Sequence, residues 1–137
     1  MAEIIYLCES NYECMKNQNM LLNLSNHPSS QWSIAQRVAA EEYGDIIDLP
    51  FPAIDPLASE ADIAVLADSL FQQIKSMGGV EDLTVHLMGE FSFTYALLCR
   101  LRQEGYDCVV STSARNVVMR EGVKEVIFDF VRFRKII

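Results

Sequence analysis

Residues 83–113, LTVHLMGEFSFTYALLCRLRQEGYDCVVSTS, hold two short apolar segments with a helical pattern between them. LTVHLMG and DCVVSTS have the length of strands. SFTYALLCRLRQEG predicts a helix over residues 92–104, which ends at Gly105. A helix of this length between two strands is typical of a right-handed βαβ crossover, in which the strands lie parallel. We therefore expect a parallel sheet.

The same alternation of strands and helices extends toward the N-terminus. Apolar runs at 4–8 and 20–24 predict two strands, residues 29–44 predict a short helix, and DIIDLPFP predicts a strand that must end at Pro50. Residues 60–77 predict a longer helix, capped by Ser59 and closed by Gly78 and Gly79.

The C-terminal segment, residues 116–133, changes to a two-residue period. NVVMREGVKEVIFDFVRF predicts two antiparallel strands around the EGVK turn. In the second of these strands the apolar residues Val126, Phe128 and Phe130 alternate with Glu125, Asp129, Arg132 and Arg134. The expected fold class is α/β: one domain, residues 1–137, with a Rossmann-like, mostly parallel sheet, helices on both faces and a C-terminal antiparallel hairpin.

The charge distribution restricts the partners. The net charge of the 137 residues is −8, which argues against genomic DNA as a partner. Residues 100–137 nevertheless carry eight basic and five acidic side chains, whereas residues 1–99 carry three and fourteen. A small phosphate-bearing ligand near the C-terminal third therefore remains compatible with the sequence.

The four cysteines and the N-terminus indicate the compartment. Cys8, Cys14, Cys99 and Cys108 form no CxxC pair and no Cys/His cluster, so we expect small buried side chains in a reducing cytosol and no metal site. MAEIIYLCES has neither the basic region of a signal peptide nor an apolar run that could span a membrane. We expect a cytoplasmic protein with no membrane partner and no cofactor.

Polar residues follow the predicted strands at the edge where open α/β sheets bind ligands. Hydroxyls, small residues and helix starts converge there, which suits an anion such as phosphate. The candidate ligand-binding residues are Ser25, Asn26, Gly89, Glu90, Ser92, Thr94 and Thr112, and the candidate catalytic residues are His27, Ser111 and Arg115.

Each candidate also has a structural explanation. Serines near residues 29–33 and Ser92 are typical helix caps, and Gly89 suits a tight turn between strand and helix. His27 fits a general acid or base and equally a turn residue before Pro28, whereas His86 lies within an apolar strand, which indicates a core or interface group. Neither GxGxxG nor GxxxxGK[ST] occurs, which disfavours a dinucleotide fold or a P-loop.

The chemistry that these residues suit is phosphodiester transesterification without a metal. A ribose 2′-hydroxyl would attack the adjacent phosphate, with Ser and Thr hydroxyls and Arg115 orienting the phosphate and His27 moving a proton.

Four segments together resemble a known family: LLNLSNHPSSQW, GDIIDLPFP, VHLMGEFSFTYALLCRLRQEGYDCVVSTSARNV and FDFVRFRKII. They are similar to the small stand-alone CRISPR-associated proteins with a CARF-like Rossmann domain, over residues 20–137. The resemblance implies a homodimer that binds a cyclic oligoadenylate second messenger between two subunits, and related ring nucleases cleave that messenger without metal. The alternatives are a non-catalytic nucleotide sensor or adaptor and an unrelated small-molecule enzyme on the same scaffold.

Overall fold

The structure, a computed structural model, describes residues 19–137. The predicted strand at 4–8 and two of the four cysteines lie outside the described residues. The strands are β1 (Met20–Ser25), β2 (Asp45–Asp48), β3 (Leu83–Met88), β4 (Asp107–Arg120) and β5 (Val123–Lys135). The helices are α1 (Ile34–Ala40), α2 (Glu60–Met77) and α3 (Phe91–Glu104).

The five strands form one sheet in the order β2-β1-β3-β4-β5. β1 pairs in parallel with β2 and β3, β3 pairs in parallel with β4, and β5 is antiparallel to β4. The predicted fold class is confirmed. The chain leaves β1 toward β2 and leaves β3 toward β4, so the strand order reverses between β1 and β3, and a crevice opens beyond their carboxyl ends.

Side chains from both faces of the sheet are buried. Leu22 and Leu24 of β1 pack with α2 and α3 in the larger core. Leu21, on the opposite face, packs with Trp32 and Phe133 beneath α1. Successive strand residues point to opposite faces, so a central strand covered on both sides is apolar at nearly every position.

The helix ends follow from local capping. Ser59 and Asp62 form a reciprocal capping box at the start of α2. Gly105 ends α3 with φ 106°, a left-handed conformation that glycine adopts without steric cost. The predicted helix at 29–44 is shorter in the structure, because Trp32 is extended and Ser33 caps a new helix that begins at Ile34. Short 3-10 turns flank it.

The hairpin is longer than predicted, because β4 runs without a break from Asp107 to Arg120. Only Asp107–Val109 pair with β3, so residues 113–130, which we call the β arm, pair only with each other. Eight residues per strand give an arm roughly 25 Å long. Its tip is a two-residue turn at Glu121 and Gly122, with φ of 52° and 77°, as a type I′ turn requires.

A β-bulge lies at the base of the arm. Phe130 pairs with Ser113 and Arg132 pairs with Thr112, which leaves Val131 as the extra residue. Without the bulge Arg132 would share a face with Phe130. With it, Phe130 and Phe133 lie on the same face, with ring centroids 5.0 Å apart.

Candidate functional site

A cavity of about 590 Å³ lies on the α1 face of the sheet, beyond the carboxyl ends of β1 and β3 and beside residues 111–113 of β4, and we call it the switch-point cavity. His86 and Met88 contribute from β3, the segment between His27 and Gln36 lines one side, and the base of the β arm lines the other. Its volume is within the range of small-molecule sites.

A buried polar network lies beside this cavity and explains the sequence of β1. Asn23 Nδ2 donates hydrogen bonds to Asp48 Oδ1 (2.8 Å) and to the His27 carbonyl oxygen (2.9 Å). Asn23 Oδ1 accepts from Ser25 Oγ (2.8 Å), and His86 Nδ1 lies 2.9 Å from the same oxygen. One side chain thus ties together the ends of β1, β2 and β3.

Asp48 holds the outer end of this network. Its carboxylate also accepts hydrogen bonds from the Ser29 backbone N–H (3.2 Å) and the Ser29 hydroxyl (2.7 Å). Burial raises the pKa of the Asp48 carboxyl, but hydrogen bonds from Asn23 and Ser29 and the charge of Arg37 outweigh it and hold the pKa below its ordinary value. Asp48 is therefore an acceptor at neutral pH.

His86 holds the inner end of the network and is 1% exposed. Its ring meets the rings of Trp32 and Phe133 edge to face, at centroid distances of 5.5 and 5.3 Å. Burial lowers the pKa of His86 from 6.5 to about 4, and the nearby His27 adds to this shift. The imidazole is therefore neutral at physiological pH.

Three of the predicted site residues line the switch-point cavity together: His27, Ser111 and Thr112. The Ser111 hydroxyl donates to Met88 Sδ (3.0 Å), and the Thr112 hydroxyl donates to the Arg132 carbonyl oxygen (3.1 Å).

Arg115 lies within β4 and not in a loop, since the strand continues past it. It pairs in register with Phe128, and directly opposed residues of an antiparallel pair share a face. Phe128 lines the cavity, and Arg115 shares its face of the arm but is not itself one of the lining residues.

Other predicted ligand-binding residues lie around neighbouring depressions. Ser25 and Asn26 line a smaller cavity of about 340 Å³ with Asp48 and Phe51. Asn26 also lines an open groove with Gly89 and Glu90. A Cβ atom at Gly89 would overlap the Phe51 ring, so this glycine permits close packing at the end of β3.

The N-terminus of α3 is capped by its own chain. Glu90 accepts hydrogen bonds from the backbone N–H groups of Ser92 (3.1 Å) and Phe93 (2.8 Å), and the Ser92 hydroxyl donates to the same carboxylate. Hydrogen bonds from Phe93 first, and then from Ser92, lower the pKa of Glu90. A carboxylate thus takes the place that a ligand phosphate would take at this helix end. Thr94 Oγ1 is buried in the next turn of α3 and has no partner among the described residues.

A protein-family model described as "Uncharacterized protein MJ1673 family" matches residues 19–134. The chain belongs to this family. The match contains every residue that lines the switch-point cavity. No curated protein and no solved structure matches the chain. The family description names no ligand and no activity, so the CARF-like resemblance of this MJ1673-family chain stays a prediction.

The described residues of this MJ1673-family chain contain neither a group of side chains suited to a metal ion nor a membrane-spanning helix. Within residues 19–137 no three His, Cys, Asp or Glu side chains are grouped as a metal ion would require. None of the helices in the same range is long and apolar enough to cross a membrane.

The predicted site residues of this chain do not include Asn23 and Asp48, and the sequence predicts His86 as a core or interface group. Their signal in the sequence is polarity inside strands that are otherwise apolar: Asn23 in MLLNLS and His86 in LTVHLM. Buried polar groups need partners. Two such residues on one face of neighbouring strands therefore indicate a network.

Proposed function

We propose that this domain binds a cyclic oligoadenylate at the switch-point cavity and opens the ring by transesterification without a metal. The observation that carries the proposal is that His27, Ser111 and Thr112, from two different segments, line one cavity. Phe128 and Phe130 line the same cavity and offer aromatic faces on which a base can stack.

The charge of the β arm supports a phosphate-bearing ligand. By register, Arg115 and Lys124 lie on the cavity side of the arm, and no acidic residue of the arm shares that face. Asp129 and Glu125 lie on the opposite face, where Asn116 donates to Asp129 and Glu125 pairs with Arg120. Asp129 also lines the cavity, but its carboxylate accepts the hydrogen bond from Asn116. The guanidinium of Arg115 suits a phosphate.

In the proposed reaction, the 2′-hydroxyl of a bound ribose attacks the adjacent phosphorus. His27 accepts the hydroxyl proton, the 2′-oxygen–phosphorus bond forms and the bond from phosphorus to the 5′-oxygen breaks. The proton then passes to the leaving 5′-oxygen, which gives a 2′,3′-cyclic phosphate and a free 5′-hydroxyl. Arg115 stabilises the charge on the phosphate, and alignment supplies the rest of the rate.

We propose further that the site is shared by two copies of the chain. A ring of several nucleotides is larger than the ligand that one cavity of this size encloses. The cavity face of the arm also carries Val117, Met119, Val126 and Phe128, which are between 42% and 66% exposed. A two-stranded hairpin of this kind is only marginally stable in water, and an arm of a second copy would cover it. Sedimentation should give a dimer, and a monomer at micromolar concentration would contradict the shared site.

The test of the reaction is incubation with cyclic tetra-adenylate and cyclic hexa-adenylate in EDTA, followed by chromatography. We expect linear products that end in a 2′,3′-cyclic phosphate. Arg115→Ala and His27→Ala should each abolish most of the ring opening. Arg134→Ala is the matched control. Arg134 is an exposed arginine of β5 that pairs with Val110, outside the β arm, so its replacement should leave the rate unchanged.

Binding without cleavage is the second candidate function, and one contact favours it. The Ser111 hydroxyl donates to Met88 Sδ, so it is engaged within the chain and is not directed at a ligand. A ring that binds and remains intact would identify a nucleotide sensor. Absence of binding to either ring would refute both functions and favour an unrelated small-molecule enzyme.

A further inference from the structure

We propose that His86 is a ligand-contacting residue of the switch-point cavity, whose Nε2 atom accepts a hydrogen bond from a neutral N–H or O–H group of a nucleoside. The inference rests on the proposed ligand site but not on ring opening.

The hydrogen-bond network fixes the tautomer of His86. The Asp48 carboxylate can only accept, so the Asn23 amide must direct its NH₂ group toward Asp48 and its oxygen toward His86. The Asn23 oxygen can only accept, so His86 Nδ1 must donate. In a neutral imidazole the other nitrogen is then unprotonated. Nε2 therefore carries a lone pair.

This lone pair is buried without a partner. His86 Nε2 has no hydrogen-bond partner among the described residues, although the side chain is 1% exposed. The neighbouring rings do not supply a donor, because Phe133 has none and the indole N–H of Trp32 donates to the His27 carbonyl oxygen (3.0 Å). A buried acceptor that stays unpaired destabilises a fold, so such an atom at a cavity is a signal of a ligand contact.

The chemistry of the atom restricts what it can bind. A lone pair repels a phosphate oxygen and attracts a hydrogen-bond donor. His86 and Met88, both acceptors, line the cavity from β3, whereas Arg115 lies on the arm. A nucleotide would therefore place an amino or hydroxyl group of its base or sugar against β3 and its phosphate toward the arm.

The first measurement is nitrogen-15 NMR of the imidazole rings in the full chain. We expect His86 Nε2 to resonate as an unprotonated ring nitrogen and Nδ1 as a protonated one. Adenosine should shift the Nε2 resonance in the direction of an accepted hydrogen bond. The opposite tautomer, or an Nε2 resonance that no adenosine concentration moves, would overturn the inference.

The second measurement compares binding of adenosine to two variants. In His86→Asn the amide takes the place of Nδ1 and keeps the bond to Asn23 but has no acceptor at the position of Nε2. In His86→Gln the amide oxygen can take the place of Nε2. We expect His86→Asn to weaken adenosine binding by about tenfold and His86→Gln to recover part of the loss. If the wild type and His86→Asn both fold normally and bind adenosine with equal affinity, the contact is refuted.

Analogues of adenosine identify the donor. Purine riboside lacks the exocyclic amine and 2′-deoxyadenosine lacks one hydroxyl. The analogue that lacks the donor should bind the wild type about tenfold more weakly than adenosine, and the difference should vanish in His86→Asn. If adenosine contacts Nε2 but cyclic oligoadenylates are neither bound nor opened, the proposed function fails and this inference stands. If the wild type and His86→Asn open the rings equally and bind adenosine alike, the inference on His86 fails and the proposed function stands.

Discussion

As the pH is lowered, the fold should lose stability first through His86. The carboxylates of Asp48 and Glu90 are protonated only at lower pH. The pKa of His86 is about 4 in the fold because of burial, against 6.5 in the unfolded chain. Between these values the unfolded state binds a proton that the folded state excludes. The stabilising contribution of the neutral ring is therefore complete above pH 6.5 and is lost as the pH falls toward 4.

The size of the effect follows from the two pKa values. A difference from 6.5 to about 4 corresponds to about 3 kcal/mol of unfolding free energy, at about 1.4 kcal/mol for each pH unit. The ring is 1% exposed, so solvent screening is small. Asp48 and Glu90 also have lowered pKa values, but their ordinary values are 3.8 and 4.5, so they lose their contributions at lower pH than His86.

The assay is urea unfolding at several pH values between 6.5 and 4, on the wild type and on His86→Asn. The wild-type free energy should fall across this interval, and the variant should show a much flatter profile whatever its absolute stability. The other histidine of the sequence, His27, is present in both proteins. Equal slopes for the two proteins, or an NMR titration of His86 with its midpoint near 6.5, would refute the reasoning.

Three further predictions concern packing, the network and the thiols. Gly89→Ala should lower the unfolding free energy by about 1–3 kcal/mol, because its Cβ overlaps the Phe51 ring. In a chain that also carries Phe51→Ala, urea unfolding should show a much smaller loss on Gly89→Ala. Asn23→Ala should cost about 3 kcal/mol or more, measured in the same way, because it leaves several buried groups unpaired; a loss below 1 kcal/mol would contradict the network. Brief alkylation of the native protein followed by peptide mass analysis should label Cys99, which is exposed, and spare Cys108, since burial raises the pKa of Cys108 to about 12.

Local patterns were sufficient to predict most of the sheet. The helix at 60–77 and the strand-helix-strand unit at 83–113 are long and periodic, and Ser59 and Gly105 mark helix ends by chemistry that acts over a few residues. The unbroken β4 was not predictable in this way. Residues 111–116, STSARN, are polar. The sequence predicts a strand only as far as Ser113, and residues 114–116 form a strand because β5 lies beside them.

The candidate site was predictable only in part. The rule that ligands bind beyond the carboxyl ends of parallel strands selects His27, Ser111 and Thr112 from the sequence, and these three residues line one cavity in the structure. It did not reveal that Glu90 caps α3 with its own carboxylate, because a side chain that bends back two or three residues leaves no periodic signal. Nor did it reveal the bond between Asn23 and His86, which joins residues 63 positions apart and depends on strand register.

The bulge at Val131 determines which change in chain length the arm can tolerate. Removal of one residue elsewhere in β5 would invert every side chain beyond it and expose Phe133 or bury a charge. Removal of Val131 would instead restore regular pairing, with Phe130 still opposite Ser113 and Arg132 still opposite Thr112. Among relatives of this chain, single-residue deletions in the strand should therefore concentrate at this position, and elsewhere along the arm length should vary in steps that preserve the pairing.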